Sequence, residues 1–174
     1  MAADTTTSRA PDARFLVAHP AHFIALGFGS GLAPRAPGTF GTLAAFPLYW
    51  ALALALPPLA IAFLAIALFF LGVWACGVTG RDLGAQDHGS MVWDEIVAFL
   101  PLLALASQDW RLQACAFVLF RIFDIWKPFP IRELERNVKG GLGVMIDDVL
   151  AAFYAYVVFA VLVIAAVRLL GPSA

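Results

Sequence analysis

Five carboxylic acids lie close to the ends of apolar stretches. Asp94 and Glu95 are adjacent near the start of one stretch, Asp124 lies near the end of another, and Asp147 and Asp148 are adjacent near the start of a third. A carboxylate in apolar surroundings is unfavourable unless it is paired or bound to a cation. Oxygen ligands from several elements suit Mg²⁺, together with water and a substrate phosphate. We therefore expect catalytic chemistry here, although an interfacial pair facing water would also explain Asp94 and Glu95.

A second pattern places basic groups beside one of these acids. Arg121, Asp124 and Lys127 recur every third residue before Pro128 and Pro130. This spacing predicts one face of a helix near its end, which the prolines then terminate. Arginine and lysine on such a face suit phosphate recognition beside a metal ligand. A stripe that neutralises itself and has only a structural role is the alternative.

Two glycine-rich segments precede apolar stretches. The first, residues 27–42, reads GFGSGLAPRAPGTFGT and supplies the hydroxyls of Thr39 and Thr42 near a helix start, where anions bind favourably. A re-entrant turn with close helix packing explains it equally well. The second, residues 139–149, reads KGGLGVMIDDV and predicts a loop leading into a helix whose first turn carries both aspartates. Capping alone would account for one of those acids.

The thiols and imidazoles offer less chemistry. Cys76 and Cys115 lie in apolar runs and read as packing residues. Cys115 and Arg121 match a C-x5-R spacing, but the residues between them lack glycine and predict helix interior, which excludes a thiol phosphatase loop. The three histidines are too scattered for a zinc site and read as interfacial or incidental residues: His19, His22 and His88.

The amino-acid composition indicates the class of protein that carries these acidic and basic side chains. The chain has 174 residues, is 62% hydrophobic and 13% charged, and has a mean hydropathy of +0.87. Soluble domains average about 45–50% apolar and about 25% charged residues. We therefore expect an all-α integral membrane protein, and the net charge of −1 gives no reason to expect nucleic-acid binding.

Five stretches approach the roughly 20 residues that a membrane-spanning helix needs. They lie at about 39–56, 59–78, 90–107, 110–126 and 146–170, with a tight turn at Pro57-Pro58. Residues 15–26 are too short to span and predict an interfacial or re-entrant segment. Residues 1–14 lack a signal-peptide core and predict a disordered cytoplasmic tail, which leaves residues 15–174 as one membrane-embedded domain.

Charge distribution predicts the orientation. With a cytoplasmic N-terminus, nine of the 11 lysines and arginines fall on the inner side, and Arg111 and Arg168 fall outside. The same layout also brings seven acids to the inner face: Asp82, Asp87, Asp94, Glu95, Asp124, Asp147 and Asp148. A polar cluster at one interface suits a site that acts on a lipid headgroup, whereas a transporter more often places polar groups at the midplane.

Four strings in this order resemble the phosphatidylglycerophosphatase A family: residues 27–42, VWDEIV at 92–97, FRIFDIWKPFPI at 120–131 and residues 139–149. The resemblance extends over about residues 23–156. It implies a multi-pass enzyme of the bacterial inner membrane that removes phosphate from phosphatidylglycerophosphate in phospholipid biosynthesis. It also implies Mg²⁺ as cofactor and the lipid substrate and membrane lipids as partners, and it leaves the oligomeric state open.

This resemblance leads to a hypothesis of metal-assisted hydrolysis. Mg²⁺ would be held by some of the five acids, with Asp94, Glu95, Asp124 and Asp148 preferred. Phosphate and headgroup would be bound by Arg35, Thr39, Thr42, Arg121, Lys127 and Lys139. Either a carboxylate orients the attacking water or an aspartyl-phosphate forms, and the sequence leaves both open.

Two other function classes fit the sequence less well. A CDP-alcohol phosphotransferase-like lipid synthase is also Mg²⁺-dependent, but its D-x2-D-G-x2-A-R helix pattern is missing from the sequence. A small ion-coupled transporter predicts polar residues at midspan and internal repeats, and the sequence contains neither.

Overall fold

The computed structural model describes residues 10–171, which form α-helices and one 3₁₀ segment and contain no β-strand. The 3₁₀ segment, Gly27–Leu32, lies between the second and third helices. The eight α-helices of the described range are α1 Ala13–Ala18, α2 Pro20–Ala25, α3 Pro37–Ala53, α4 Pro58–Leu83, α5 Trp93–Ala106, α6 Trp110–Trp126, α7 Ile131–Asn137 and α8 Gly140–Leu170. The all-helical prediction is confirmed for this range.

Two of these helices, α4 and α8, are long and apolar enough to cross a membrane. With 26 and 31 residues they extend about 39 and 46 Å, more than the roughly 30 Å hydrocarbon core. Their outward faces carry exposed large apolar side chains such as Phe63, Phe70, Val161 and Ile164. Such exposed apolar surface is typical of a protein that contacts lipid.

The other three predicted spans are shorter. α3 and α6 have 17 residues each and α5 has 14, which correspond to about 25 and 21 Å. Length and composition therefore support two membrane helices, and the other three predicted spans stay a prediction. Two boundaries were predicted well: α6 runs from Trp110 to Trp126, and α4 begins at Pro58. A proline in the first turn lacks only an N–H that no helical bond would use.

Helix α5 forms the centre of the bundle. It contacts α3, α4, α6 and α8, and eleven of its 14 residues are buried. Phe99 stacks on Phe120 of α6, with 5.4 Å between ring centroids, and the indole of Trp93 donates a hydrogen bond to the carbonyl of Leu68 at 3.1 Å. Neighbouring helices therefore enclose α5, and little of this short helix is exposed at the surface of the bundle.

The amino-terminal region differs in detail from its prediction. The segment 15–26 consists of two short helices, α1 and α2, separated at His19. Residues 1–9 of the predicted tail lie outside the described residues, whereas Ala13 and Arg14 belong to α1. Whether α1 and α2 lie at a membrane surface stays a prediction.

The prediction of a glycine-rich loop before the last helix is wrong. α8 begins at Gly140, so Asp147 and Asp148 lie beyond its second turn and cannot be capping residues. The physical reason is packing. A Cβ on Gly141 would collide with the carbonyl oxygen of Val73 in α4, so glycine here permits the close approach of two helices.

Candidate active site

Three carboxyl groups meet between the starts of α5 and α8. Asp94 and Glu95 lie in the first turn of α5, and Asp148 lies beyond the second turn of α8. One oxygen from each residue lies within 4.8 Å of the other two. Asp94 and Asp148 are buried and Glu95 is partly buried. We call these residues the three-acid cluster.

Two oxygens of this cluster have no hydrogen-bond partner among the described residues. They are Oδ1 of Asp94 and Oε2 of Glu95, and both are inaccessible to solvent. Buried polar atoms are normally satisfied, and each one left without a partner is costly. A divalent cation accepts oxygen ligands of this kind, so the donor set fits the Mg²⁺ that the sequence predicted.

An arginine and a fourth acid adjoin the cluster. Nη1 of Arg121 donates to Oδ2 of Asp124 at 2.5 Å and lies 3.4 Å from the hydroxyl of Thr42. Asp124 in turn faces the carboxyl group of Asp148. Nε of Arg121 is buried and has no partner among the described residues. The Nε–H of Arg121 therefore remains free to donate a hydrogen bond to an anionic ligand.

The start of α3 closes one side of the cluster. A Cβ on Gly38 would collide with Oε1 of Glu95 and would lie 3.3 Å from Nη1 of Arg121. Thr42 donates its hydroxyl hydrogen to the carbonyl of Gly38 at 2.9 Å. Glycine at position 38 thus allows the backbone of α3 to approach the acids, as the sequence suggested for this segment. Thr39 is partly buried, and its role in binding phosphate stays a prediction.

Lys127 does not continue the helical stripe of Arg121 and Asp124. α6 ends at Trp126, and Lys127 adopts a left-handed backbone conformation with φ 46°. The helix ends here because the next residue is Pro128, and a residue that precedes proline avoids the right-handed helical conformation. The prediction of one three-residue helical stripe is therefore wrong at its third member.

Lys127 instead joins α6, α7 and α8. Its Nζ donates to Oδ2 of Asp147 at 2.6 Å and lies 2.9 Å from Oε1 of Glu135 in α7. Burial alone would lower the pKa of Lys127, but the hydrogen bonds and charges of Asp147 and Glu135 outweigh it and raise that pKa above its usual value. Lys127 is thus a charged group already neutralised by two carboxylates.

The adjacent aspartates of α8 serve different neighbours. Successive helical residues point about 100° apart, so Asp147 faces Lys127 while Asp148 faces Asp94 and Glu95. The sequence pattern does not separate these two aspartates, and it did not predict Glu135 as a neighbour of Lys127. The acidic and basic residues of IRELERN were the only signal for it, because the turn at Pro128 and Pro130 removes any helical periodicity between Lys127 and Glu135.

The remaining predicted binding residues stand apart from the cluster. Arg35, between the 3₁₀ segment and α3, and Lys139, at the start of α8, are both exposed. Neither pairs with a charged group in the described part of the chain. Their proposed role in steering an anionic headgroup stays a prediction.

The site carries an excess of negative charge. Five carboxyl groups (Asp94, Glu95, Asp124, Asp147 and Asp148) share the region with two basic side chains, Arg121 and Lys127. Closely spaced buried carboxylates cannot all ionise without compensation. An anionic substrate would therefore be repelled unless a cation were bound.

His22 has a structural role, and both cysteines lie within helices. His22 is buried, stacks on Phe15, and places its ring nitrogens 2.9 Å from the carbonyl of Phe15 and 2.8 Å from Oδ2 of Asp82. Both cysteines are unpaired, and the C-x5-R match lies within the continuous helix α6.

Comparisons with known proteins place this arrangement in context. Residues 23–163 match the model of the family described as "Phosphatidylglycerophosphatase A". The chain is 48% identical over 139 residues to the Escherichia coli phosphatidylglycerophosphatase A, covering 79% of this chain and 80% of the relative. It is 47% identical over 154 residues to the Haemophilus influenzae phosphatidylglycerophosphatase A, covering 87% and 94%.

A third relative carries a different name. A Bacteroides thetaiotaomicron protein, named provisionally as a phosphatidylinositol-3-phosphatase, is 45% identical over 146 residues, covering 79% of this chain and 90% of the relative. No solved structure matches the chain significantly.

Proposed function

The chain belongs to the phosphatidylglycerophosphatase A family, and we propose on that basis that it removes the terminal phosphate of phosphatidylglycerophosphate with Mg²⁺ bound at the three-acid cluster. The family resemblance read from the four motifs is confirmed by these matches. The observation that supports the metal site is the pair of buried, unpartnered oxygens on Asp94 and Glu95 beside Asp148. The products would be phosphatidylglycerol and inorganic phosphate.

Asp94, Glu95 and Asp148 are the ligands we propose for Mg²⁺. When bound, the ion supplies positive charge that offsets the carboxylates and the charge developing on the phosphoryl oxygens. We do not include Asp124 among the ligands, although the sequence suggested it, because one of its oxygens is already bound by Arg121. Asp147 is engaged by Lys127, so we assign it to positioning rather than to the reacting atoms.

Arg121 is the group proposed to hold the phosphoryl group. Its Nη1 is fixed by Asp124 and Thr42, and its buried Nε–H remains to donate to a phosphate oxygen. Charge-assisted hydrogen bonds to phosphate are among the stronger ones that a protein makes. Arg35 and Lys139 are exposed and would act earlier, by attracting the headgroup.

Asp124 is the carboxylate we propose to orient the attacking water. It lies next to the three-acid cluster without being one of the three, and Arg121 holds it in place. It would accept a proton as the water oxygen bonds to phosphorus, and that proton would pass to the glycerol oxygen, directly or through solvent, as the bond between this oxygen and phosphorus breaks. We expect no ³²P on the protein in single turnover, and stable ³²P labelling that is lost in Asp124→Asn would indicate an aspartyl-phosphate instead.

A multi-pass arrangement in the bacterial inner membrane is also proposed. α4 and α8 are long enough to cross, and α3, α5 and α6 would complete a bundle in which α5 is shielded from lipid. A cytoplasmic N-terminus places nine of the 11 lysines and arginines inside, and with them the acids of the site.

Phosphate release from purified protein in detergent micelles tests the function. We expect release from phosphatidylglycerophosphate, with little from phosphatidic acid or phosphatidylinositol 3-phosphate, and loss of release in excess EDTA. The last substrate is included because a relative is named for it. Faster turnover of phosphatidylinositol 3-phosphate would overturn the substrate assignment, and full activity in EDTA would overturn the metal.

A further inference from the structure

A groove of about 430 Å³ lies between α4, α5 and α8. Its lining is apolar apart from the hydroxyl of Tyr156. α5 contributes the floor, and the two helices long enough to cross a membrane form the sides. We call this the α4–α8 groove.

The groove begins beside the three-acid cluster. On α5 it is lined by residues three, four, seven and eight positions after Asp94, namely Val97, Ala98, Pro101 and Leu102. These positions share the helix face of Asp94. On α8, Val149 follows Asp148 directly and Ala152 lies one turn later. The groove therefore starts about one helical turn, about 5 Å, from the acids.

The groove is open to the outside along its length. Its rims on α4 are Ile66 and Phe70, which are 54% and 66% exposed, and its rim on α8 includes Phe153, which is 59% exposed. Along α4 it runs from Ala62 to Phe70, or about 12 Å. One leaflet of a bilayer contributes about 15 Å of hydrocarbon, so the groove covers most of one leaflet.

We propose that the α4–α8 groove binds an acyl chain of the lipid substrate while its phosphate lies at the three-acid cluster. This inference rests on the proposed function. A phosphate held at the acids belongs to a lipid whose hydrocarbon chains extend from the headgroup into the bilayer, and the groove continues from the acids in that direction. Its apolar lining suits hydrocarbon and offers headgroups almost no hydrogen-bonding groups.

The test fills the groove and compares two chain lengths. Ala62→Phe and Ala152→Phe each place an aromatic ring at a lining position. Phosphate release is measured with dioleoyl and dihexanoyl phosphatidylglycerophosphate in mixed micelles. We expect the ratio of kcat/KM for the long over the short chain to fall by about tenfold or more, with little change for the short chain. Ala62 is only partly buried, so its variant serves if Ala152→Phe does not fold.

Ala160→Phe is the matched control. It makes the same change on α8 in a second apolar groove, next to Leu105 and Leu112, which shares only Tyr156 with the α4–α8 groove. The ratio should remain that of the wild type. Unchanged ratios in both filled variants would overturn the proposal. Equal loss on both lipids, or a change in oligomeric size by light scattering, would also overturn it, because the groove would then support the acids or a second copy. A wild type inactive on both lipids would overturn the proposed function itself.

Discussion

Asp147 and Asp148 are neighbours in the chain with separate partners. Asp147 accepts a hydrogen bond from Lys127, and Asp148 completes the three-acid cluster. The sequence predicted acids that could bind a cation, because several lie at the ends of apolar stretches. The sequence could not show that the two aspartates have different partners, because this depends on the rotation of α8. It also depends on the position of Lys127, which lies outside α6 and precedes Pro128.

Replacing each aspartate separately should therefore separate activity from stability. Asp148→Asn is expected to lower kcat by about 100-fold or more, because a metal ligand is lost. The melting temperature of Asp148→Asn in EDTA should not fall, because the substitution removes one of several closely spaced carboxylates that repel each other. Asp147→Asn is expected to keep activity within about tenfold and to lower stability by about 1–2 kcal/mol, because Lys127 loses its closer partner.

Phosphate release and thermal unfolding in detergent measure both quantities. Lys127→Arg is a second variant to measure, because it retains a positive charge beside Asp147 and Glu135. If Asp147→Asn removed as much activity as Asp148→Asn while leaving stability unchanged, the assignment of Asp147 to positioning would be wrong.

At the scale of whole helices, close packing of α4 against α8 determines where the acids lie. Gly141 meets the carbonyl of Val73, and Gly77 of α4 faces Gly141 with space remaining. The sequence predicted the apolar helices well because length and hydropathy are local properties. It placed the start of α8 too late because glycine weakens a helix on its own, and only the neighbouring helix makes it favourable here.

Alanine at these two glycines should have opposite effects. Gly141→Ala is expected to destabilise the protein by about 2–3 kcal/mol, because its Cβ collides with backbone that cannot move cheaply. Gly77→Ala should be neutral or stabilising by up to about 1 kcal/mol, because its Cβ would lie 3.8 Å from the nearest atom, the backbone nitrogen of Gly141. Thermal unfolding of the two variants checks this, and equal destabilisation would contradict the packing account.

Across the whole molecule, polar groups collect at one end of the bundle. The starts of α3, α5 and α8 meet the end of α6 there, as the contacts of Gly38, Glu95, Arg121 and Lys127 show. Composition alone predicted a membrane protein, and α4 and α8 have the length to cross. Helix length cannot decide whether α3, α5 and α6 also cross, because neighbouring helices partly enclose them.

Labelling of single cysteines checks the proposed topology. In a background with Cys76 and Cys115 replaced by alanine, Gln86→Cys lies between α4 and α5 and Gln108→Cys lies between α5 and α6. In intact spheroplasts a membrane-impermeant maleimide should label Gln108→Cys but not Gln86→Cys, and permeabilisation should expose both. Labelling of Gln86→Cys in intact spheroplasts would contradict an inward-facing site.

A Mg²⁺ titration of phosphate release from phosphatidylglycerophosphate, after treatment with EDTA, tests the metal site most directly. The wild type should regain activity with added Mg²⁺, and so should Asp109→Asn, which alters only the cap of α6, a capping position that asparagine also suits. Glu95→Gln and Asp148→Asn should need at least about tenfold more Mg²⁺ or fail to recover. Wild-type activity without added metal, or an Asp148→Asn curve that superimposes on that of the wild type, would contradict a metal site at the three-acid cluster.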